Sequence, residues 1–221
     1  MLTPTNYCIG KKELQIARDN IENFVDIKTS INEPTGNFFY SEWQIKTKFK
    51  DTIWEQILNS LPKNIGEARL IKLESGKCYL QHADIDDRYH LNIAGENSYL
   101  VDLDEQQLHL LDNDGRWYEM NAGKLHSAIN LGRDDRYQLV VRKLLHSTNL
   151  NNPVKIVIQP KQNASRFLFD NQISPILNYL NKNSLISDFD TKKDQVEFNI
   201  ESEFTNIMQK LSTDYWLITY D

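Results

Sequence analysis

His82-Ala-Asp84, followed at a distance by His126 and then Arg136, are the residues of this chain best suited to do chemistry. Two imidazoles and one carboxylate can occupy one face of an iron(II) ion and leave the opposite positions open for an organic acid and dioxygen. His82 and Asp84 stand two apart, so on an extended strand both side chains point to the same face. His126 must then arrive from a strand distant in sequence. Arg136 carries a fixed planar fork that could hold the far carboxylate of a dicarboxylic co-substrate. A bare His-x-Asp is common, so the weight falls on its surroundings.

Those surroundings carry a resemblance. The segment Leu125–Val141, LHSAINLGRDDRYQLVV, resembles the distal-histidine segment of the aspartyl/asparaginyl β-hydroxylase family of 2-oxoglutarate oxygenases, which includes free-proline cis-hydroxylases. The ten-residue step from His126 to Arg136 is part of the likeness. Upstream, Glu74–His90, ESGKCYLQHADIDDRYH, looks like the family's proximal segment, in which an Arg-x-His pair follows the metal motif and helps hold 2-oxoglutarate. Here that pair is Arg88 and His90. Gly115-Arg-Trp117 stands where the family has a glycine-led strand entering the second histidine, and the likeness spans roughly residues 66–142.

The resemblance implies Fe(II) held by His82, Asp84 and His126, with 2-oxoglutarate and dioxygen as co-substrates. It also implies Arg136 on the distal carboxylate, Arg88 and His90 helping to fix the co-substrate, and Asn130 organising the surroundings of the metal ligands. The implied reaction hydroxylates an amino acid, free or peptidyl and of Asp, Asn or Pro type, with release of succinate and CO2. The animal peptidyl hydroxylases of the family lack the carboxylate ligand, so Asp84 makes this chain look closer to the small-molecule hydroxylases. Two other readings stay open: a non-catalytic cupin-like protein that binds or senses metal and 2-oxoglutarate, and a cupin enzyme using another metal. Arg136 speaks against the second, because a site without a dicarboxylate has no evident need for that fork. For the prime substrate, Arg116, Arg133 and Arg142 are spare cations, and Trp117 with the loop Phe38–Trp43 could supply an apolar wall.

The elements that must position these residues follow from periodicity. Residues 1–65 read as a helical region packing on the core, with apolar residues at helical spacing over Lys11–Val25 and Thr52–Leu61 before Pro62 stops the second run. From Ala68 to Arg142 short strands alternate with turn residues: Ala68–Glu74, Lys77–His82, Arg88–Ala94, Ser98–Leu103, Gln107–Asp112, Arg116–Met120, Lys124–Ile129 and Arg136–Arg142. Eight strands predict a mainly β fold, a double-stranded β-helix or cupin-like jelly roll over residues 66–147 with a ligand cavity at its open end. Residues 148–221 predict a small α+β domain, with strands Val154–Ile158, Val196–Ile200 and Tyr215–Tyr220 and helices Gln172–Leu180 and Glu203–Leu211. Tyr215–Tyr220, apolar on both faces, is expected in the middle of that sheet. The domain is expected to serve docking or a homodimer contact, without a direct role in iron chemistry.

Composition sets the class. At 221 residues, 40% hydrophobic and 25% charged, the chain reads as an ordinary globular protein. Its net charge of −6 offers no broad basic surface, so a small molecule is the expected partner and nucleic acid is not. Cys8 and Cys78 lie far apart with no Cys-x-x-Cys spacing and read as reduced thiols of a cytoplasmic protein. The start of the sequence lacks the order of a signal peptide, and no apolar run approaches membrane-spanning length.

Overall fold

The computed structural model describes residues 1–21, 30–192 and 195–221. The fold is mainly β, built from several antiparallel sheets. The first 65 residues contribute β1 (Leu2–Cys8), α1 (Lys11–Asp19), β2 (Asn32–Pro34), β3 (Trp43–Ile45) and α2 (Ile53–Leu58). This corrects the expectation of a helical region. β1 pairs along β8 (Arg116–Met120), and β2–β3 form a hairpin. β1 escaped notice because LTPTNYC has no apolar alternation; it is an exposed edge strand, where Pro4 costs little. The helical pattern was real but shorter. Thr52 caps α2, its hydroxyl accepting from the Trp54 N–H; residues 22–25 of the first predicted helix lie outside the described residues.

The central stretch runs through β4 (Ile65–Leu73), β5 (Arg88–Ala94), β6 (Ser98–Asp102), β7 (Gln107–Leu110), β8, β9 (His126–Asn130) and β10 (Arg136–Lys143). One sheet has the order β1-β8-β5-β10-β4 and a second the order β7-β6-β9. The predicted strand Lys77–His82 is not continuous. It meets β9 at two isolated bridges, Cys78 with Ile129 and His82 with His126, and so extends the second sheet irregularly. Successive segments therefore cross between the two sheets: β4 in the first, 77–82 in the second, β5 in the first, β6–β7 in the second, then β8, β9 and β10 in turn.

Alternation along β5 and β10 sets what lies between the sheets. Tyr89, Leu91, Ile93, Leu139 and Val141 face outward into a core shared with α1 and α2. Arg88, His90, Arg136 and Gln138 instead line a cavity on the opposite face. Both strands are buried on both faces, so the polar face is sheltered as well.

The last third forms a separate sheet of order β12-β13-β11-β14, all pairs antiparallel. It comprises β11 (Pro153–Pro160), a turn α3 (Arg166–Leu168) running through a π-helical Phe169–Ile173 into α4 (Ser174–Lys182), β12 (Ile186–Lys192), β13 (Gln195–Glu201), a 3₁₀ segment Ser202–Lys210 and β14 (Trp216–Tyr220). β14 is an edge strand of which only Trp216 is buried, a correction to its expected central place. Its Leu217 and Tyr220 are exposed despite their apolarity. Phe39, Ile85 and Leu145 reach from the preceding part of the chain into this unit's core. Among the described residues no helix is long and apolar enough to cross a membrane.

Candidate metal centre

His82 and His126 face each other across two reciprocal backbone hydrogen bonds of 2.9 Å. Such a closed pair sets the two side chains side by side on one face of the sheet. Their ring centroids lie 4.3 Å apart. Asp84 is delivered two residues on, its own N–H donating to the Ala122 carbonyl at 2.7 Å. Its Oδ2 lies 3.8 Å from His82 Nε2 and 3.5 Å from His126 Nε2, and one ligand atom from each of the three residues falls within 4.8 Å of the others. This His-Asp-His cluster could hold a metal ion.

The outer atoms of the three ligands are already committed. Nδ1 of His82 sits 2.9 Å from the Leu80 carbonyl, and Nδ1 of His126 sits 2.8 Å from that of Lys124. A carbonyl only accepts, so each Nδ1 donates, and in the neutral ring that leaves the Nε2 lone pair to face inward. Arg88 grips Asp84 Oδ1 at 2.6 Å, while Oδ2 is buried with no hydrogen-bond partner. Burial alone would push the Asp84 carboxyl up. The attraction of its surroundings, the Arg88 guanidinium foremost, outweighs it and holds the carboxyl well below the usual range. Burial, with help from His126, pushes His82 down against the pull of Asp84. An ionised carboxylate and a neutral imidazole are the forms that bind metal.

A cavity of about 470 Å³ is lined by two residues of this cluster, His82 and His126, and by His90, Arg136 and Gln138 among apolar residues such as Ile71, Leu100 and Met120. Arg136 is 1% exposed. One Nη donates to Ser98 Oγ at 3.1 Å and the guanidinium lies over the Tyr79 ring, but Nε has no partner and no Asp or Glu among the described residues pairs with it. A buried cation without a counter-charge is costly, which marks the spot as a place for an anion. Gly95 permits this placement: at φ +100° it packs on the Arg136 backbone, where a Cβ would stand 2.7 Å from Cα.

The remaining predicted residues divide. His90 lines the cavity with both ring nitrogens unpartnered, and burial, reinforced by Arg88 and Arg136, pushes it down to about 3. Arg88 also lines the cavity, but its ion pair is with the ligand Asp84. Asn130 is committed to a turn: its amide donates to the Leu73 and Asp134 carbonyls and its oxygen accepts from Gly132 N–H. It therefore shapes the β9–β10 connection and has no atom left for a co-substrate. Arg142 is spoken for by a bidentate pair with the buried Asp86, at 2.6 and 2.7 Å. Trp117 is fully buried in the outer core, donating to Ser60 Oγ at 2.9 Å, and forms no cavity wall.

Sequence reasoning missed Arg166, Phe167 and Asp170, which the C-terminal unit brings to the rim of the same cavity. Arg166 and Asp170 pair at 2.8 Å, four residues apart. The only available signal was that i,i+4 spacing, which is ordinary on any helix. No family model matches this chain, and a search of curated proteins finds no similar sequence.

Proposed function

We propose that this protein is an Fe(II)- and 2-oxoglutarate-dependent dioxygenase that hydroxylates an amino acid, free or peptidyl, on a jelly-roll scaffold. One observation carries the reading. One cavity is lined both by His82 and His126 of the three-residue metal cluster and by a buried guanidinium, Arg136, that lacks a carboxylate partner. Segments that cross in turn between two facing sheets support the jelly roll.

His82, Asp84 and His126 would hold the metal, which with 2-oxoglutarate and dioxygen supplies the oxidative decarboxylation that releases succinate and CO2 and hydroxylates a C–H bond. The chain's own task is to bind, orient and exclude water. Arg136 offers its fork to the distal carboxylate in a sheltered setting, where a charge-assisted hydrogen bond is strong. Arg88 fixes Asp84 through Oδ1 so that Oδ2 stays aimed at the ion. Apolar side chains around the cavity keep it dry. Arg166, Phe167 and Asp170 form the rim on the substrate side.

The test is succinate release by the iron(II)-loaded full-length protein across a panel of free amino acids and peptides, with His126→Ala as control. Turnover that His126→Ala abolishes is the expected result. Binding of 2-oxoglutarate without succinate release on any substrate would favour the non-catalytic sensing reading. Absence of both metal and 2-oxoglutarate binding would overturn the proposal.

A further inference from the structure

The segment Asp84–Asp87 carries the ligand carboxylate yet has no regular secondary structure of its own. Each of its four residues is nonetheless tied. Asp84 is held by Arg88 and the Ala122 carbonyl, Asp86 by both arms of Arg142, and Asp87 accepts from the Ala122 N–H at 3.3 Å. Two further ties come from α4. Asn178 Nδ2 donates to the Ile85 carbonyl at 2.9 Å, and Lys182 Nζ lies 3.2 Å from Asp87. Asn178 and Lys182 are four residues apart, so they share one face of the helix.

Asn178 is buried and also packs on the strand entry that carries the other histidine. A Cβ at Gly123 would stand 2.2 Å from Asn178 Cγ, so only glycine admits the amide there. Gly123 lies between Ala122, whose backbone holds Asp84 and Asp87, and Lys124, whose carbonyl holds His126 Nδ1. One amide on a helix without ligands thus touches both segments that deliver ligands.

We infer that Asn178 is a positioning residue for the metal centre, so that the affinity of His82, Asp84 and His126 for a divalent cation depends on α4 being docked. The inference rests on the metal-site reading above. Contacts that orient a ligand from behind are typically worth about 10- to 100-fold in metal affinity. Coupling is reciprocal: if docking of α4 favours the metal, the metal favours docking of α4.

The experiment titrates the full chain with Co(II), following the ligand-field absorption band, in wild type, Asn178→Asp and Gly123→Ala. Asn178→Asp keeps the shape and removes the N–H donor; Gly123→Ala displaces the amide. Both are expected to weaken Co(II) about 10-fold or more and to change the band, which a purely stabilising role would leave alone. Amide hydrogen exchange of wild-type Ser174–Lys182 is expected to slow when Co(II) is added, a measurement that needs no variant to fold. Wild-type affinity and band in Asn178→Asp, or exchange in α4 indifferent to Co(II), would overturn the inference while leaving the metal site standing. A wild-type chain that binds no Co(II) would overturn both.

Discussion

Asp84 divides its two oxygens between two tasks, and the division is what makes the cluster ready for an ion. Oδ1 is held by Arg88 and Oδ2 is left bare between two Nε2 atoms. Arg136 is bare in the complementary sense. Arg136→Lys keeps the charge but loses the fork, so 2-oxoglutarate binding measured by calorimetry is expected to weaken by about 1.5–3 kcal/mol. Unchanged affinity would remove Arg136 from that role, and Arg142 could not replace it, being committed to Asp86. His90 gives a pH signature. Its folded value of about 3 lies below the ordinary 6.5, so the unfolded chain binds the extra proton. Its contribution to stability is complete above 6.5 and is lost as pH falls toward 3. The melting temperature of the metal-free protein should fall across this window, with His82 contributing in the same direction. His90→Leu should flatten the slope; a slope equal to that of the parent would contradict the assignment. At this scale the clustering of His82, Asp84 and His126 was readable from the two-residue step together with the likeness of the surrounding segments to a known family. The bonds of Arg142 to Asp86 and of Asn130 to the Leu73 carbonyl were not, since these partners lie 56 and 57 residues away.

Strands β5 and β10 invert the usual arrangement of a sandwich, turning apolar residues toward the helices and charged ones toward the space between the sheets. Period-two alternation exposed both strands to sequence reading, and β5 and β8 match their expected limits at both ends. It could not say which face was which. The elements that escaped have a physical reason. β12 carries ISDFDTK, with two apolar residues thrown off phase by an irregularity between Ser187 and Asp190, where Asp188 takes φ +52°. The segment 77–82 is strand-like in sequence but pairs only at its bridges. One glycine holds β5 against β10. Gly95→Ala forces a side chain into a positive-φ position against the Arg136 backbone, and a loss of about 1–3 kcal/mol is expected in chemical denaturation. Parental stability would mean that the turn relaxes freely.

The two halves of the molecule share residues across their boundary. Phe39 packs on Phe189 at 4.7 Å between ring centroids, Tyr40 accepts from the Phe189 N–H at 2.7 Å, and Ile85 sits in the C-terminal core. The C-terminal unit, expected to serve docking without a direct role in iron chemistry, also contributes Arg166, Phe167 and Asp170 to the lining of the cavity. Truncation after Asn151 would bare Phe39, Ile85 and Leu145 and remove the rim. The shortened chain is expected to lose solubility and, where recovered, to bind Co(II) more weakly in the same titration. A soluble fragment of full affinity would show that the boundary is a mere seam. Sequence reading located this unit from the break at Asn149–Pro153 but missed its part in the site, because a long-range contact leaves no local pattern.

Unmet polar atoms gather around the metal cluster and the cavity: Asp84 Oδ2, Arg88 Nε, both nitrogens of His90, Arg136 Nε and Gln138 Nε2 are all buried without hydrogen-bond partners. Each is a cost of burial that the cation and dicarboxylate of the proposed function would relieve, and whatever binds only the native state protects it by mass action. Under the proposed function, the lifetime of the molecule against proteolysis would then follow the supply of metal and 2-oxoglutarate. A chain starved of metal or co-substrate would be cleared sooner, so abundance, and not turnover alone, would report how well the site is fed.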